Sequence, residues 1–183
     1  IKTYNLNAVA ALNLGNGISI GIGPQVQLIK GRLTSAGAII EADDVGFGFT
    51  AGVLWEPTKT TSIGVGFRSA ISHTLEGTAA TAAGVPGVQA DLKTPETVNL
   101  SLRQQLTSQL TALATVEWNN WSNVQELNVQ CKTATPGLCA AGGSLANSPL
   151  KLGWHDGWLF AGGLEYAYSP ALTLRGGLAY EKS

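Results

Sequence analysis

The chain has 183 residues, a net charge of −1 and only 13% charged residues, about half the share of an ordinary soluble domain. So small a net charge gives no field that would attract nucleic acid, and so few charges suit a water-exposed surface poorly. A transmembrane helix is excluded because no apolar run reaches about 20 residues.

Apolar and polar residues alternate along most of the chain, which is the pattern of β-strands with two different faces. The alternation predicts eight strands, at about 1–14, 17–34, 44–56, 60–76, 95–106, 109–130, 153–168 and 171–182. They are longer than the usual five or six residues, and a tilted strand needs about 9–11 to cross a bilayer. The sequence therefore predicts an all-β fold, an antiparallel transmembrane β-barrel.

The separators between these strands fall into two classes that alternate along the chain. Tight turns are predicted at 15–17, 57–60, 107–109 and 169–171, and long connections at about 35–43, 77–94 and 131–152. Outer-membrane barrels have short periplasmic turns and long extracellular loops. The alternation therefore predicts an integral protein of a bacterial outer membrane.

In such a barrel the apolar side of each strand faces lipid, for example Ile63, Val65, Phe67 and Ile71, and the other side faces the lumen. Charged residues of the second side are the candidates for the lumen: Arg68, Arg103, Glu117, Glu165 and Arg175. The turn at 169–171 predicts that Glu165 faces Arg175 across a hairpin. Such a pair would fix the register, because a slip of one residue would move both charges into lipid.

Tryptophan and tyrosine side chains are predicted to form two bands, one near the tight turns and one about ten residues along the strands. Their rings prefer the two membrane interfaces, where one end is apolar and the other is hydrated. The interface candidates are Tyr4, Trp55, Trp118, Trp121, Trp158, Tyr168 and Tyr180.

Cys131 and Cys139 flank a polar stretch with a Pro-Gly turn signal, which predicts a disulfide loop; two free thiols are the alternative. His73 and His155 are each far from this pair, so no metal site is expected. No Ser or Cys nucleophile lies in a known motif, and the glycine-rich stretches lack the helix that a phosphate loop needs. Neither enzyme activity nor a cofactor is expected.

Several stretches resemble the FadL/TodX family of outer-membrane transporters for long-chain fatty acids and hydrocarbons. They are "GFRSAISHTLEG", "TPETVNLSL", "TVEWNNWS" and "HDGWLFAGGLEYAYSPALTLRGGLAYEKS", and the opening "YNLNAVAALNLGNGISIGIGPQVQLIKGRL" fits the same family. The resemblance implies a fourteen-stranded barrel with an N-terminal plug, in which apolar cargo binds and then leaves sideways into the membrane. Residues 1–183 are then expected to be part of one barrel domain, without the plug and the closing strands.

The expected function is that of a passive channel for long-chain fatty acids or hydrocarbons. The expected partners are this cargo, outer-membrane lipid and lipopolysaccharide, and the protein is expected to be a monomer. One alternative is a small closed barrel that serves as an anchor or adhesin through its long loops. Another is a soluble lipid-binding barrel with the apolar side chains inside.

Overall fold

The structure, a computed structural model, describes residues 1–35, 38–82, 84–132 and 148–182, and most of them lie in β-strands. The strands are β1 (Lys2–Asn7), β2 (Ala10–Gly15), β3 (Ile18–Ser35), β4 (Ala38–Thr58), β5 (Thr61–Arg68), β6 (Ser72–Thr81), β7 (Gly87–Lys93), β8 (Thr97–Gln105), β9 (Leu110–Asn119), β10 (Glu126–Cys131), β11 (Ser148–Lys151), β12 (Gly157–Ser169) and β13 (Leu172–Lys182). A 3-10 turn spans Trp121–Asn123. No helix of the described residues is long and apolar enough to cross a bilayer. The predicted all-β antiparallel class is confirmed.

The thirteen strands of the described residues form one antiparallel sheet, which the chain crosses eight times. Three crossings are the continuous strands β3, β4 and β13. The other five are each broken in two, as β1–β2, β5–β6, β7–β8, β9–β10 and β11–β12. The predicted count of eight strands is therefore too low, although each predicted segment corresponds to one crossing.

The five breaks lie side by side across the sheet. We call residues 8–9, 69–71, 94–96, 120–125 and 152–156 the interruption line. Consecutive register partners run along it: Gly23, Thr50, Arg68, Thr97, Asn119 and Gly157. The line divides the sheet into a lower half, on the side of the tight turns, and an upper half.

Several breaks have a local cause in the sequence. Pro24 of β3 has no N–H to donate, and a Cβ on Gly23 would overlap the backbone of Ala8 in the neighbouring break. Pro95 removes a donor in the same way between β7 and β8. Gly153 lies between β11 and β12 at a φ of 59°, a left-handed conformation that ends a strand.

In the lower half, apolar side chains form continuous rows along one face of the sheet. One row of register partners crosses all eight passes: Leu12, Ile20, Val53, Val65, Leu100, Val116, Phe160 and Tyr180. Along β12 this apolar face is exposed while the alternating residues are half-buried. The apolar rows therefore lie on the convex, outer face, and small or polar residues line the concave, inner face.

Above the line this polarity is reversed on β6 and β7, whereas on β1, β3 and β4 the outer face stays apolar up to Tyr4, Leu28 and Val45. Ile71, Leu75 and Val88 are at most 8% exposed and lie on the inner face, while Glu76 of the outer face is exposed. The prediction that Ile71 shares the lipid face with Phe67 is wrong. The three-residue break at 69–71 shifts the alternation, so that Arg68 and Ile71 both lie on the inner side.

The connections at the upper end are shorter than predicted. β3 and β4 stay paired up to Ser35 and Ala38, and β6 and β7 pair up to Thr78 and Gly87. The long connections expected at 35–43 and 77–94 are therefore wrong, because the extra residues continue the ladders instead. Most of the third, expected at 131–152, lies outside the described residues.

In the described part of the chain, β13 pairs with β12 alone, and β1 and β2 pair with β3 alone. The sheet is thus open at both edges, which leaves a row of backbone donors and acceptors at each. A small closed eight-stranded barrel is not what these residues form.

Candidate functional site

The interruption line carries a polar cavity on the inner face of the sheet. Its volume is about 210 Å³, and its lining residues are Thr50, Gly66, Phe67, Arg68, Thr97, Asn99, Glu117 and Asn119. Four of these lie on the line itself, where β4, β5, β8 and β9 are next to one another.

The two charged residues of this cavity, Glu117 and Arg68, differ in their contacts. Glu117 accepts a hydrogen bond from Asn119 Nδ2 at 3.0 Å, and the amide oxygen of Asn119 accepts one from the Thr97 hydroxyl at 2.7 Å. Arg68 makes no ion pair with any described residue. The guanidinium is therefore available to an anionic or hydrogen-bonding group of a ligand.

An apolar cavity of about 350 Å³ adjoins the polar one, and Thr50 lines both. Its lining includes residues of both faces: Val9, Ala11, Gly21, Gly52 and Leu54 of the inner face, and Ile20, Val53 and Val65 of the outer apolar row. The glycines have no side chain that would fill this space: a Cβ on Gly21 would lie 3.4 Å from the Val9 side chain. Together the two cavities present an apolar surface that ends at a polar group.

The other inner charges lie further along the same face. Arg175 Nε donates to Glu165 Oε1 at 2.7 Å across the β12–β13 hairpin, the pair expected from the turn. Leu172 pairs with Ser169 because of an irregularity next to the turn, yet Glu165 and Arg175 remain opposite each other. Arg103 lies between Ser62 and Leu113 in the register, away from both cavities.

Most of the predicted interface aromatics lie on the outer face. Trp118 and Trp158 are register partners, Tyr180 lies opposite Phe160, and Tyr4 and Tyr168 are 59% and 65% exposed. Trp55 is close to its tight turn and 47% exposed.

Trp121 departs from the strand pattern, because it lies in the 3-10 turn. Its ring contacts that of Trp154 edge-on, with centroids 5.0 Å apart. Asp156 joins this turn to the sheet: it accepts hydrogen bonds from Trp118 Nε1 and from the backbone N–H of Ser122, each at 3.1 Å. Trp154 and Asp156 could not be found from periodicity, because both lie in the break between β11 and β12.

A second polar cluster lies above the interruption line. His73 is 2% exposed, and its Nδ1 is 2.9 Å from Asp44 Oδ2 while its Nε2 is 3.0 Å from Gln27 Oε1. Because both ring nitrogens are engaged, this group braces the upper half of the sheet. The partners of His73 on β4 and β3 lie 29 and 46 residues away in sequence, so no spacing in the sequence predicts them.

The predicted disulfide cannot be placed on this site. Cys131 ends β10, and Cys139 lies outside the described residues. The pairing stays a prediction.

The profile of the family described as outer membrane protein transport protein (OMPP1/FadL/TodX) matches residues 1–183. A Neisseria meningitidis serogroup B protein described as an outer membrane protein is 22% identical over 165 residues, which are 80% of this chain and 35% of that protein. This chain thus spans about a third of the curated relative's length.

Solved structures show the same fold. A FadL homologue of Pseudomonas aeruginosa has a TM-score of 0.80 at 19% identity, over 99% of this chain and 50% of that one. The Ralstonia pickettii toluene transporter TbuX has a TM-score of 0.72 at 19% identity, over 98% and 56%. The Pseudomonas putida toluene transporter TodX gives 0.69 at 16%, over 98% and 55%.

These neighbours are β-barrel proteins about twice as long as this chain, so the open sheet corresponds to part of a barrel. The family is one of transport proteins, and its description, like that of the Neisseria relative, places the chain in the outer membrane. Because the profile match runs over the whole chain, the protein belongs to the FadL/TodX family of outer membrane transport proteins.

Proposed function

We propose that the whole protein is a passive outer-membrane channel for hydrophobic small molecules such as long-chain fatty acids or hydrocarbons. One observation carries this proposal: an apolar cavity of about 350 Å³, lined in part by the inner face, meets a polar cavity at Thr50, beside Arg68, which makes no ion pair with a described residue. We propose further that the open sheet is closed by other strands of the protein, and that the protein acts as a monomer surrounded by lipid and lipopolysaccharide.

The driving force for cargo entry would be burial of apolar surface, worth about 25 cal/mol per Å² removed from water. The tail of the cargo would lie against Val9 and Leu54, and a polar end would reach Arg68. Movement would then follow the concentration gradient. No catalytic step is part of this proposal.

The experiment compares three variants of the full-length protein in detergent, with a fluorescent long-chain fatty acid and toluene as probes. Leu54→Asn, in the apolar cavity, should weaken binding of both probes. Arg68→Gln should weaken only the fatty acid, by about tenfold to a hundredfold, because a charged hydrogen bond contributes about 1.5–3 kcal/mol. Arg103→Gln removes the same charge from the same face and should bind both probes as the wild type does.

Wild-type affinity of Leu54→Asn and Arg68→Gln for both probes would show that the cavities are not in the cargo path. The passive mode is tested separately in proteoliposomes. Initial uptake should rise with the outside concentration of the probe and should not change when a proton ionophore is added. Uptake against a gradient would contradict a passive channel.

A further inference from the structure

The outer face carries two facing lysines immediately above the apolar rows. Tyr4 and Leu28 are register partners of the last apolar row, and Lys2 and Lys30 are the register partners one step higher on the same face. Both lysines are exposed. Arg32 continues the outer face of β3 one step above Lys30.

Neither lysine makes an ion pair with a described residue. Like charges directly opposite on neighbouring strands are destabilising. Asp43 faces Lys30 from β4, but neither lysine is within ion-pair distance of a carboxylate. Arg32 Nε lies 3.4 Å from Glu41 Oε1 in a pair of which both side chains are more than 60% exposed. An anion from outside the chain would therefore remove an unfavourable contact.

The position of the lysines along the strands indicates which class of anion would lie next to them. The lower half of β3 begins at Ile18, and the stretch from there to Leu28 has about the 9–11 residues that cross the hydrocarbon. Lys30 is then the first outward residue beyond the hydrocarbon, at the end of the sheet away from the tight turns. In an outer membrane that end faces the outside, where lipopolysaccharide carries its phosphate groups.

We propose that Lys2 and Lys30, with Arg32 above them, form a binding site for a phosphate of the lipid A headgroup of lipopolysaccharide. Ammonium and guanidinium groups form short, charge-assisted hydrogen bonds with phosphate oxygens. The site depends on the outward direction of the apolar rows, and it does not depend on the cargo or on the cavities of the inner face.

The experiment uses the full-length protein, stripped of lipopolysaccharide in detergent, and titrates it with a defined lipopolysaccharide that bears both lipid A phosphates. EDTA is present, so that divalent cations cannot bridge the phosphates to Glu41 or Asp43. The variant Lys2→Gln with Lys30→Gln should bind at least tenfold more weakly than the wild type. Lys59→Gln, at a tight turn on the opposite rim, should bind normally, and Lys30→Arg should retain binding.

Two further ligands separate the sources of phosphate. Enzymatically dephosphorylated lipopolysaccharide should bind the wild type as weakly as the intact form binds the double variant. Inorganic phosphate at millimolar concentration should not displace the intact form. Equal affinity of the wild type and the double variant, equal affinity for the dephosphorylated form, or displacement by inorganic phosphate would each overturn the proposal.

The folded state of every variant is checked by heat-modifiable migration, and binding of the fatty-acid probe is measured in parallel. The double variant should bind this probe as the wild type does. Loss of lipopolysaccharide binding alone therefore reports on the lysines, whereas failure of the cargo proposal would show in the Arg68 and Leu54 variants.

Discussion

Gly46 and Gly48 of β4 lie on the inner face, under the residues that turn inward at the interruption line. A Cβ on Gly46 would lie 2.6 Å from His73 Cε1, and one on Gly48 would lie 2.7 Å from Ile71 Cγ1. Both distances are far inside van der Waals contact. The two glycines therefore let Ile71 and His73 pack directly on the backbone of β4.

Gly46→Ala is expected to destabilise the folded protein by about 1–3 kcal/mol, because the added methyl overpacks a buried contact. The matched control is Gly64→Ala in β5, where a Cβ would meet nothing within 4 Å. That control should be neutral, or should stabilise by up to about 1 kcal/mol, since glycine is unfavourable inside a strand. The temperature at which each variant changes from folded to unfolded migration on a gel measures both effects. Equal shifts of this temperature for Gly46→Ala and Gly64→Ala would refute the close packing at Gly46.

Asp156 lies outside the strands, in the break between β11 and β12, and its hydrogen bonds give it a pH dependence. The hydrogen bonds from the Ser122 side chain and backbone, followed by that from Trp118, lower the pKa of this carboxyl below its ordinary value of 3.8. A depressed pKa in the folded state contributes stability that is complete above the unfolded value. That contribution is lost as the pH falls through the folded value.

The contacts of Asp156 with Trp118 and Ser122 should thus persist on acidification to about pH 4 and be lost below pH 3.8. Tryptophan fluorescence measured from pH 7 to pH 2 would follow the loss. This transition should be absent in Asp156→Asn. The variant therefore distinguishes the titration of Asp156 from that of other carboxyl groups. A transition of Asp156 centred above pH 3.8 would contradict the lowered pKa.

Residue contacts could be predicted from the sequence only where a short turn sets the register. Glu165 and Arg175 are ten residues apart around one hairpin, so their pairing followed from the turn. His73 and Asp44 are 29 residues apart, and their contact depends on a three-residue break that reverses the alternation. The alternation of apolar and polar residues around 69–71 does not predict this break.

At the scale of the strands, the outer row through Val65, Leu100 and Val116 decides which side of the sheet can meet lipid. Leu100 is 52% exposed on this convex face, at the middle of the lower half. Its neighbour Ser101 points to the inner face, where its hydroxyl lies 3.0 Å from that of Thr115. Two adjacent residues thus sample the two environments.

Leu100→Arg should impair membrane assembly, at a cost of about 2–4 kcal/mol for a cation near the bilayer midplane. Ser101→Arg adds the same side chain to the inner, polar face and should assemble. The fraction of heat-modifiable protein in outer-membrane preparations gives the comparison. If Leu100→Arg assembled as well as Ser101→Arg, the apolar rows would not face lipid.

The eight crossings could be predicted because period-two alternation persists on both sides of each break. The breaks themselves could not, although Pro24 and Pro95 mark two of them in hindsight. The upper connections were predicted too long, because polar and small residues there were interpreted as loop when they continue the ladders of β3, β4, β6 and β7.

For the whole molecule, the reversal of polarity at the interruption line is the feature that relates the sheet to its surroundings. Below the line the outer face is apolar, and above it the apolar residues Ile71, Leu75 of β6 and Val88 of β7 are covered on the inside, while β3 and β4 keep an apolar outer face up to Leu28 and Val45. Water rather than lipid is the solvent that the arrangement on β6 and β7 suits. The cavities lie where the two regimes meet.

Spin labels should report this boundary. Val53→Cys, on the outer face below the line, should be relaxed more by oxygen, which concentrates in lipid. Thr78→Cys, exposed on the outer face of β6, should be relaxed more by a water-soluble nickel complex. Both are made in a background with Cys131 and Cys139 replaced by serine, and the same preference at both sites would refute the boundary.

In the five broken crossings the interruption line also separates one ladder from the next, whereas β3 and β4 stay paired across it. In the broken crossings, a residue added or lost above the line need not displace the pairs below it, because the breaks at 69–71, 94–96 and 120–125 can absorb the shift. The upper half of the sheet can therefore tolerate insertions and deletions that would disrupt the register of an unbroken ladder. Relatives of this protein should differ in length mainly on that side, while the spacing from each tight turn to the line stays constant.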